Sequence, residues 1–151
     1  MLEVSWSLAA LSLAGVAAAW LDLRRRLIPN WLCAMTLLAG LATAMVAGGF
    51  PALGNHSLHM AIALVAGMAL FHFGVFGGGD AKFYAAAAAW FPLAQAVMLL
   101  IAVVLCGLVL LVVWFGYRRI RALPVRRGGQ HFEALPYGVA IGAGAVLAAL
   151  F

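Results

Sequence analysis

Two aspartates are the residues of this chain best suited to chemistry. Asp22 and Asp80 are its only aspartates, and Glu3 and Glu133 are the only other side-chain carboxylates among 151 residues. Two carboxylates that are held close together in a partly dry site do not both ionise easily, so they share a proton. The ionised member can then take a proton from water while the protonated member donates to a carbonyl oxygen. The pair therefore predicts general acid–base hydrolysis if the fold brings the two side chains together.

Asp80 directly follows three consecutive glycines, Gly77, Gly78 and Gly79. A structural interpretation makes Asp80 the N-cap of the next helix, where its charge suits the positive end of the helix dipole. The glycines favour a functional interpretation, because they free the backbone for unusual φ values and for close approach of another chain. We therefore predict that Asp80 is catalytic and that a substrate strand lies against the three glycines. Lys82 could orient Asp80 or attract an anionic group of the substrate, but a surface lysine that reaches the interface is the favoured interpretation.

Asp22 also has a structural alternative, which is an interfacial ion pair with Arg25 or Arg26. Such exposed pairs contribute about 1 kcal/mol or less. A carboxylate near the C-terminus of a helix faces the negative end of the dipole, so Asp22 is poorly placed for stability alone. Together with Asp80 it forms the predicted catalytic pair.

The elements that must position these residues are membrane helices. Hydrophobic residues make up 68% of the chain and charged residues 9%, and the mean hydropathy is +1.13. Soluble domains are roughly half apolar and about a quarter charged. The predicted fold is therefore an all-α integral membrane protein with a single domain over residues 1–151. The net charge of +5 flanks the apolar spans, which favours contact with lipid headgroups over binding of nucleic acid.

The predicted architecture is a bundle of six transmembrane helices, of which the fourth is short. A spanning helix needs about 20 apolar residues, and the candidate spans are 4–21, 31–50, 57–76, 80–92, 95–116 and 134–151. If the short fourth span crosses, Arg24–Arg26, Lys82 and Arg118–Arg127 all lie on the cytoplasmic side, as the positive-inside rule requires. Both termini are then outside. Asp22 and Asp80 share the cytoplasmic face.

Two further motifs are expected to support the site. In "RLIPNW", Pro29 makes the preceding residue extended, and Asn30 can cap the second helix. In "LPYG", Pro136 and Gly138 on either side of Tyr137 predict an irregular start of the sixth helix. Irregular backbone at membrane depth is tolerated only where it is buried in protein or faces a cavity.

No metal or organic cofactor is predicted. His56 and His59 are expected in an outer loop, where two ligands without a third do not indicate a metal site. Cys33 and Cys106 each lie inside an apolar run and belong to no CxxC pair, which gives no support for zinc binding or redox chemistry.

Three segments in combination and order resemble the type IV prepilin peptidases, which are membrane aspartic proteases of the GxGD type. They are Asp22 with the following "RRRLIPNW", then "GGGDAK", then "LPYGVAIG" near the C-terminus. The resemblance implies that Asp22 and Asp80 are the two catalytic aspartates. It also implies that the substrate is a prepilin, whose short basic leader is cleaved at the cytoplasmic face of the bacterial inner membrane. Members typically cleave just after a glycine and before the hydrophobic segment of the pilin.

The chain resembles the short form of the family that is associated with Flp, or tight-adherence, pili. Larger bacterial relatives carry paired cysteine motifs associated with N-methylation, and nothing here corresponds to them, so methyl transfer is not expected. Archaeal preflagellin peptidases are also short, which leaves the substrate class open. The expected partners are a prepilin, membrane lipids and the pilus-assembly machinery.

Two functions of other classes stay open. The same two carboxylates could serve a small proton-coupled transporter, or the chain could be a non-catalytic scaffold of a secretion machine. A relay should place acids along a path through the membrane midplane, whereas these two cluster at one face. A scaffold needs neither acid. The protease is therefore the favoured prediction.

Overall fold

The described part of the chain is built from helices alone. The computed structural model describes residues 2–74, 77–120 and 136–151. Its elements are α1 (Leu2–Arg25), α2 (Asn30–His72), α3 (Gly78–Ala88), a 3₁₀ turn (Leu93–Gln95), α4 (Ala96–Ile120) and α5 (Tyr137–Ala148). The prediction of an all-helical fold is confirmed for these residues. Glu133 and most of the basic cluster Arg118–Arg127 lie outside them.

Three helical regions are long and apolar enough to cross a membrane: Trp6–Arg25, Asn30–His72 and Leu93–Ile120. Their outer surfaces carry large apolar side chains, such as Val109 and Val112 on α4, which are 65% and 69% exposed. An apolar surface of this extent suits lipid rather than water. With 11 and 12 residues, α3 and α5 measure about 16–18 Å, short of the roughly 30 Å hydrocarbon core. Six transmembrane helices therefore remain a prediction.

α2 consists of two helical segments that meet at Gly48 and Gly49. Gly48 has φ −145° and ψ 15°, and Gly49 has φ 64° and ψ −154°. The conformation of Gly49 is essentially restricted to glycine. The break lies at these two glycines, and it is shorter than the gap between the predicted spans 31–50 and 57–76 because Phe50 and Pro51 are already helical. Proline is tolerated so close to the start of a helical segment because its missing N–H would have no partner there.

The two segments of α2 pack against the same helix, α3. A Cβ added at Gly40 would lie 3.1 Å from the backbone carbon of Ala89, and His56 Nδ1 lies 2.9 Å from the Ala89 carbonyl oxygen. Further along the second segment, Gly67 is so close to Ala81 that an added Cβ would lie 3.1 Å from the Ala81 Cβ. The second segment therefore runs antiparallel to α3, and the chain reverses between Gly40 and His56. A straight 43-residue helix, about 65 Å long, could not make both sets of contacts.

Polar side chains of α2 satisfy the backbone beyond the C-terminal end of α3. The ring of His59, which is 2% exposed, lies with Nδ1 2.9 Å from the Phe91 carbonyl oxygen, and Asn55 Oδ1 accepts the N–H of Leu93 at 2.7 Å. At membrane depth an unsatisfied backbone group costs several kcal/mol, so these contacts stabilise the end of α3. The prediction that His56 and His59 lie in an outer loop is wrong, since the second helical segment of α2 already includes them.

α5 packs between α1 and α4 through small residues. A Cβ added at Gly142 would lie 2.9 Å from the Cα of Gly15 on α1, and one added at Gly144 would lie 2.5 Å from the Cα of Val103 on α4. Small residues let helix backbones approach this closely. The packing brings the start of α5 beside the end of α1, where the first of the two aspartates lies.

Candidate active site

Asp22 lies in the last turn of α1 and is only 7% exposed. Its Oδ2 accepts a hydrogen bond of 2.8 Å from the backbone N–H of Gly138. Gly138 is the second residue of α5, whose N-cap is Pro136. The carboxylate therefore faces the positive end of the α5 dipole, which offsets its unfavourable position at the negative end of α1.

The place of Gly138 leaves no room for a side chain. An added Cβ would lie 2.9 Å from Asp22 Oδ2, 3.0 Å from Asp22 Cβ and 3.0 Å from the Cδ1 of Ile28. Pro136 is fully buried and Tyr137 is half-buried. The "LPYG" segment thus starts a helix inside the protein, and its glycine allows the backbone to reach the carboxylate.

Arg26 turns the chain sharply after Asp22. Its φ is 53°, a left-handed conformation that is uncommon outside glycine, and its N–H donates to the Asp22 carbonyl oxygen at 2.9 Å. The guanidinium carbon lies 5.1 Å from the centre of the Trp114 ring on α4. Its charge also lies within electrostatic range of the Asp22 carboxylate. The two interpretations of Asp22 made from sequence, an interaction with a neighbouring arginine and a catalytic role, therefore do not exclude each other.

Asp80 is the third residue of α3 rather than its N-cap, which corrects the structural interpretation made from sequence. The N-cap is Gly77, and its backbone N–H hydrogen-bonds the Asp80 carboxylate, as an acid at this position does in a capping box. An added Cβ at Gly77 would lie 2.5 Å from Asp80 Oδ2. Gly77 has φ −73°, and the two glycines after it are helical. The missing side chain of Gly77, and not an unusual φ, is thus what the site requires.

The other two glycines are half-buried and pack against neighbouring side chains. An added Cβ at Gly78 would contact the Phe71 ring at 3.4 Å, and one at Gly79 would contact Ile28 at 3.6 Å. Gly77 is exposed. A substrate strand that lies against these residues stays a prediction, with Gly77 as the member open to it.

Ile28 connects the two halves of the site and was given no functional role from sequence. It is 5% exposed and contacts both Gly79, next to Asp80, and Gly138, which binds Asp22. The linker between α1 and α2 therefore places an apolar side chain between α3, which carries Asp80, and the start of α5, which binds Asp22. In the sequence, only a single isoleucine directly before Pro29 gave a weak indication of this role.

The charge of Asp22 acts on the carboxyl group of Asp80. Burial, together with the negative charge of Asp22, raises the pKa of Asp80 to about 6, and the Gly77 N–H acts in the opposite direction. Two carboxyl groups that interact in this way tend to share one proton. The arrangement can therefore supply a protonated and an ionised carboxyl group at the same time.

Lys82 contacts Asn30 rather than Asp80. Its Nζ donates to Asn30 Oδ1 at 3.1 Å. Two residues apart on a helix, Lys82 and Asp80 point about 200° away from each other, so this geometry gives no support to an orienting role. Asn30 does not cap α2 as expected, because the N-cap is Pro29, with φ −71° and ψ 145°.

Two cavities lie away from the aspartates. The larger, about 710 Å³, is lined by residues that include Trp6 and Trp90, and the smaller, about 290 Å³, lies beside Lys82. Neither is lined by Asp22 or Asp80. Within the described ranges, no group of three histidine, cysteine, aspartate or glutamate residues could hold a metal ion.

A comparison with protein families identifies the same region of the chain. Residues 9–112 match the model of the type IV leader peptidase family, which is more than half of the chain and includes both aspartates. The match ends before α5, so Gly138 lies beyond it. No curated protein and no solved structure gave a significant match.

Proposed function

Because the chain belongs to the type IV leader peptidase family, we propose that it is an intramembrane aspartic endopeptidase that removes the leader of type IV prepilins. The observation that supports the proposal most is that Ile28 contacts both Gly79, next to Asp80, and Gly138, which binds the Asp22 carboxylate. The two aspartates lie far apart in the sequence, yet the charge of Asp22 acts on the Asp80 carboxyl group. Both lie within the family match.

In the proposed mechanism a water between the two carboxyl groups is the nucleophile. Asp22 accepts the Gly138 N–H, an interaction that suits an ionised carboxylate, and takes a proton from the water as it attacks the scissile carbonyl carbon. Asp80 donates its proton to the carbonyl oxygen. The tetrahedral intermediate then collapses: the C–N bond breaks as the leaving nitrogen receives the proton held by Asp22, and Asp80 recovers its own from the hydroxyl group.

The proposed substrate is an Flp-like prepilin with a short basic leader and a hydrophobic segment. Exposed Arg24 and Arg25 follow Asp22 at the end of α1, and under the positive-inside rule they favour a site at the cytoplasmic face. The hydrophobic segment of the prepilin would stay in the bilayer while the leader reaches the site from the cytoplasm. Cys33 and Cys106 lie in separate helices, and methyl transfer is not part of the proposal.

Membership of a peptidase family favours hydrolysis over the proton-coupled transporter that the same carboxylates would suit. The test is cleavage of a synthetic peptide by the purified protein in liposomes. The peptide carries a basic leader that ends in glycine, followed by an apolar segment. We expect Asp22→Asn and Asp80→Asn each to lower kcat/KM by roughly 10³-fold or more, the scale of general acid–base catalysis.

Asparagine preserves the size of each side chain, so both variants should elute and unfold like the wild type. A second peptide, with lysine in place of the glycine before the cleavage point, controls for specificity. Near wild-type turnover by either variant would refute the two-aspartate mechanism. A wild type that cleaves neither peptide would refute prepilin cleavage.

A further inference from the structure

A groove runs along the face of α3 that points away from Asp80. Ala85 and Ala86 form its floor, and Leu37 and Leu64, one from each segment of α2, stand at its sides. Its cavity measures about 290 Å³. Because successive helical residues turn by about 100°, the two alanines lie about 140° and 240° around α3 from Asp80. The groove is therefore separate from the candidate active site.

One end of the groove is polar and positively charged. Lys82 is exposed, and its ammonium group has three N–H donors, of which one binds Asn30 Oδ1. The Asn30 amide nitrogen adds two more donors. Neither described aspartate forms an ion pair with Lys82, whose hydrogen-bond partner is Asn30. This end thus offers a positive charge and several donors, a combination that suits an anion.

The polar end lies at the level expected for a membrane interface. Trp31, next to Asn30, is 61% exposed, and Arg24 and Arg25 are exposed before it in the chain. Tryptophans and basic residues are enriched at this depth, and cytoplasmic leaflets are rich in anionic lipids. Basic pockets between membrane helices on this side are suited to lipid headgroups.

We propose that this groove binds one anionic phospholipid, with its phosphate on Lys82 and Asn30 and an acyl chain between Leu37 and Leu64, above the buried Ala85 and Ala86. The proposal goes beyond the peptidase activity and does not depend on it. The charge at the polar end supports an anionic lipid over the hydrophobic helix of a substrate, because the hydrogen-bond partner of Lys82 is the neutral side chain of Asn30. A helix in this groove would also lie on the wrong side of α3 to present a peptide bond to Asp80.

The test is native mass spectrometry of the delipidated protein, titrated in neutral detergent with phosphatidylglycerol or phosphatidylcholine. We expect one phosphatidylglycerol to bind about fivefold more tightly than phosphatidylcholine, the contribution of one lysine near a phosphate. Lys82→Gln should remove this preference, and Lys82→Arg should retain it. Ala86→Phe, which fills the groove, should weaken the binding of both lipids.

Arg25→Gln is the matched control, because it removes an equally exposed basic group outside the groove. Size-exclusion profiles and unfolding curves would show that each variant remains folded. If Lys82→Gln and Arg25→Gln lost the preference for phosphatidylglycerol to the same extent, the attraction would be a general effect of surface charge, and the proposal would be overturned. Wild-type binding by Ala86→Phe, or displacement of the lipid by the prepilin-like peptide, would overturn it as well. Because binding is measured without turnover, Asp80→Asn should bind lipid like the wild type even if the proposed peptidase function is wrong.

Discussion

Asp22 lies at the end of one helix and binds the beginning of another. It is in the last turn of α1, yet its carboxylate accepts the N–H of Gly138 in the first turn of α5. Each aspartate is thus held by the backbone N–H of a glycine at the start of a helix, since Asp80 is bound in the same way by Gly77. The glycines are needed because a side chain at either position would collide with the carboxylate.

Gly138→Ala should lower kcat/KM for the prepilin-like peptide by about 10²-fold. The new methyl group would lie 2.9 Å from Asp22 Oδ2, and a displacement of about 1 Å in a catalytic group costs this much. Gly116→Ala is the control, since no atom lies within 4 Å of the added Cβ. Kinetics and thermal unfolding of both variants check the prediction. Unchanged kinetics for Gly138→Ala would show that the contact with Asp22 does not position the catalytic group.

At the scale of elements, the hairpin of α2 determines where α3 lies. Gly40 from the first segment and His56 from the second both meet Ala89, which fixes the C-terminal end of α3. Asp80, at the opposite end of this short helix, is positioned indirectly by these contacts. The reversal depends on one backbone conformation, that of Gly49.

Gly49→Ala should destabilise the protein by about 1–3 kcal/mol, because φ 64° with ψ −154° is strained for any residue with a Cβ. Gly54→Ala, five residues further along α2 and with no atom within 4 Å of the added Cβ, should be neutral or stabilise by up to about 1 kcal/mol. Unfolding by denaturing detergent measures both. Equal stability of the two variants would contradict the role given to Gly49.

At the scale of the whole molecule, the contacts gather the functional groups at one end of the bundle. Asp22 binds Gly138, and Ile28 contacts both Gly138 and Gly79. Asp80 is the residue directly after Gly79. The larger cavity, beside Trp6 and Trp90, lies towards the other end. The bundle therefore has one end with the aspartates and one without, as the proposed cytoplasmic site requires.

Cysteine labelling in intact cells tests this orientation. In a background of Cys33→Ala and Cys106→Ala, Leu27→Cys, in the linker after α1, should react with a membrane-impermeant maleimide only after the cells are opened. Phe50→Cys, at the reversal of α2, should react in intact cells. The native side chains are 62% and 77% exposed, so accessibility does not limit either reaction. Labelling of both from the same side would contradict the proposed topology.

The sequence by itself determined that the described chain is helical and strongly apolar, and it predicted Asp22 and Asp80 as the residues for chemistry. Apolar runs of bilayer length predict helices because burial in lipid and internal hydrogen bonding act locally along the chain. The scarcity of carboxylates singled out Asp22 and Asp80, and the gap between the predicted spans 31–50 and 57–76 indicated the break in α2. The predicted helix ends were less accurate, since the N-cap of α2 is Pro29 and not Asn30.

Only the tertiary structure decided which groups meet. The bond between Asp22 and Gly138 joins residues 116 positions apart, the place of Ile28 depends on three elements at once, and Lys82 turned out to face Asn30. Such contacts follow from which helix faces pack together, and in a chain that is apolar almost all round the hydrophobic pattern does not encode that choice. Close packing of small residues determines which helix faces meet, and this packing is seen only when the helices are assembled.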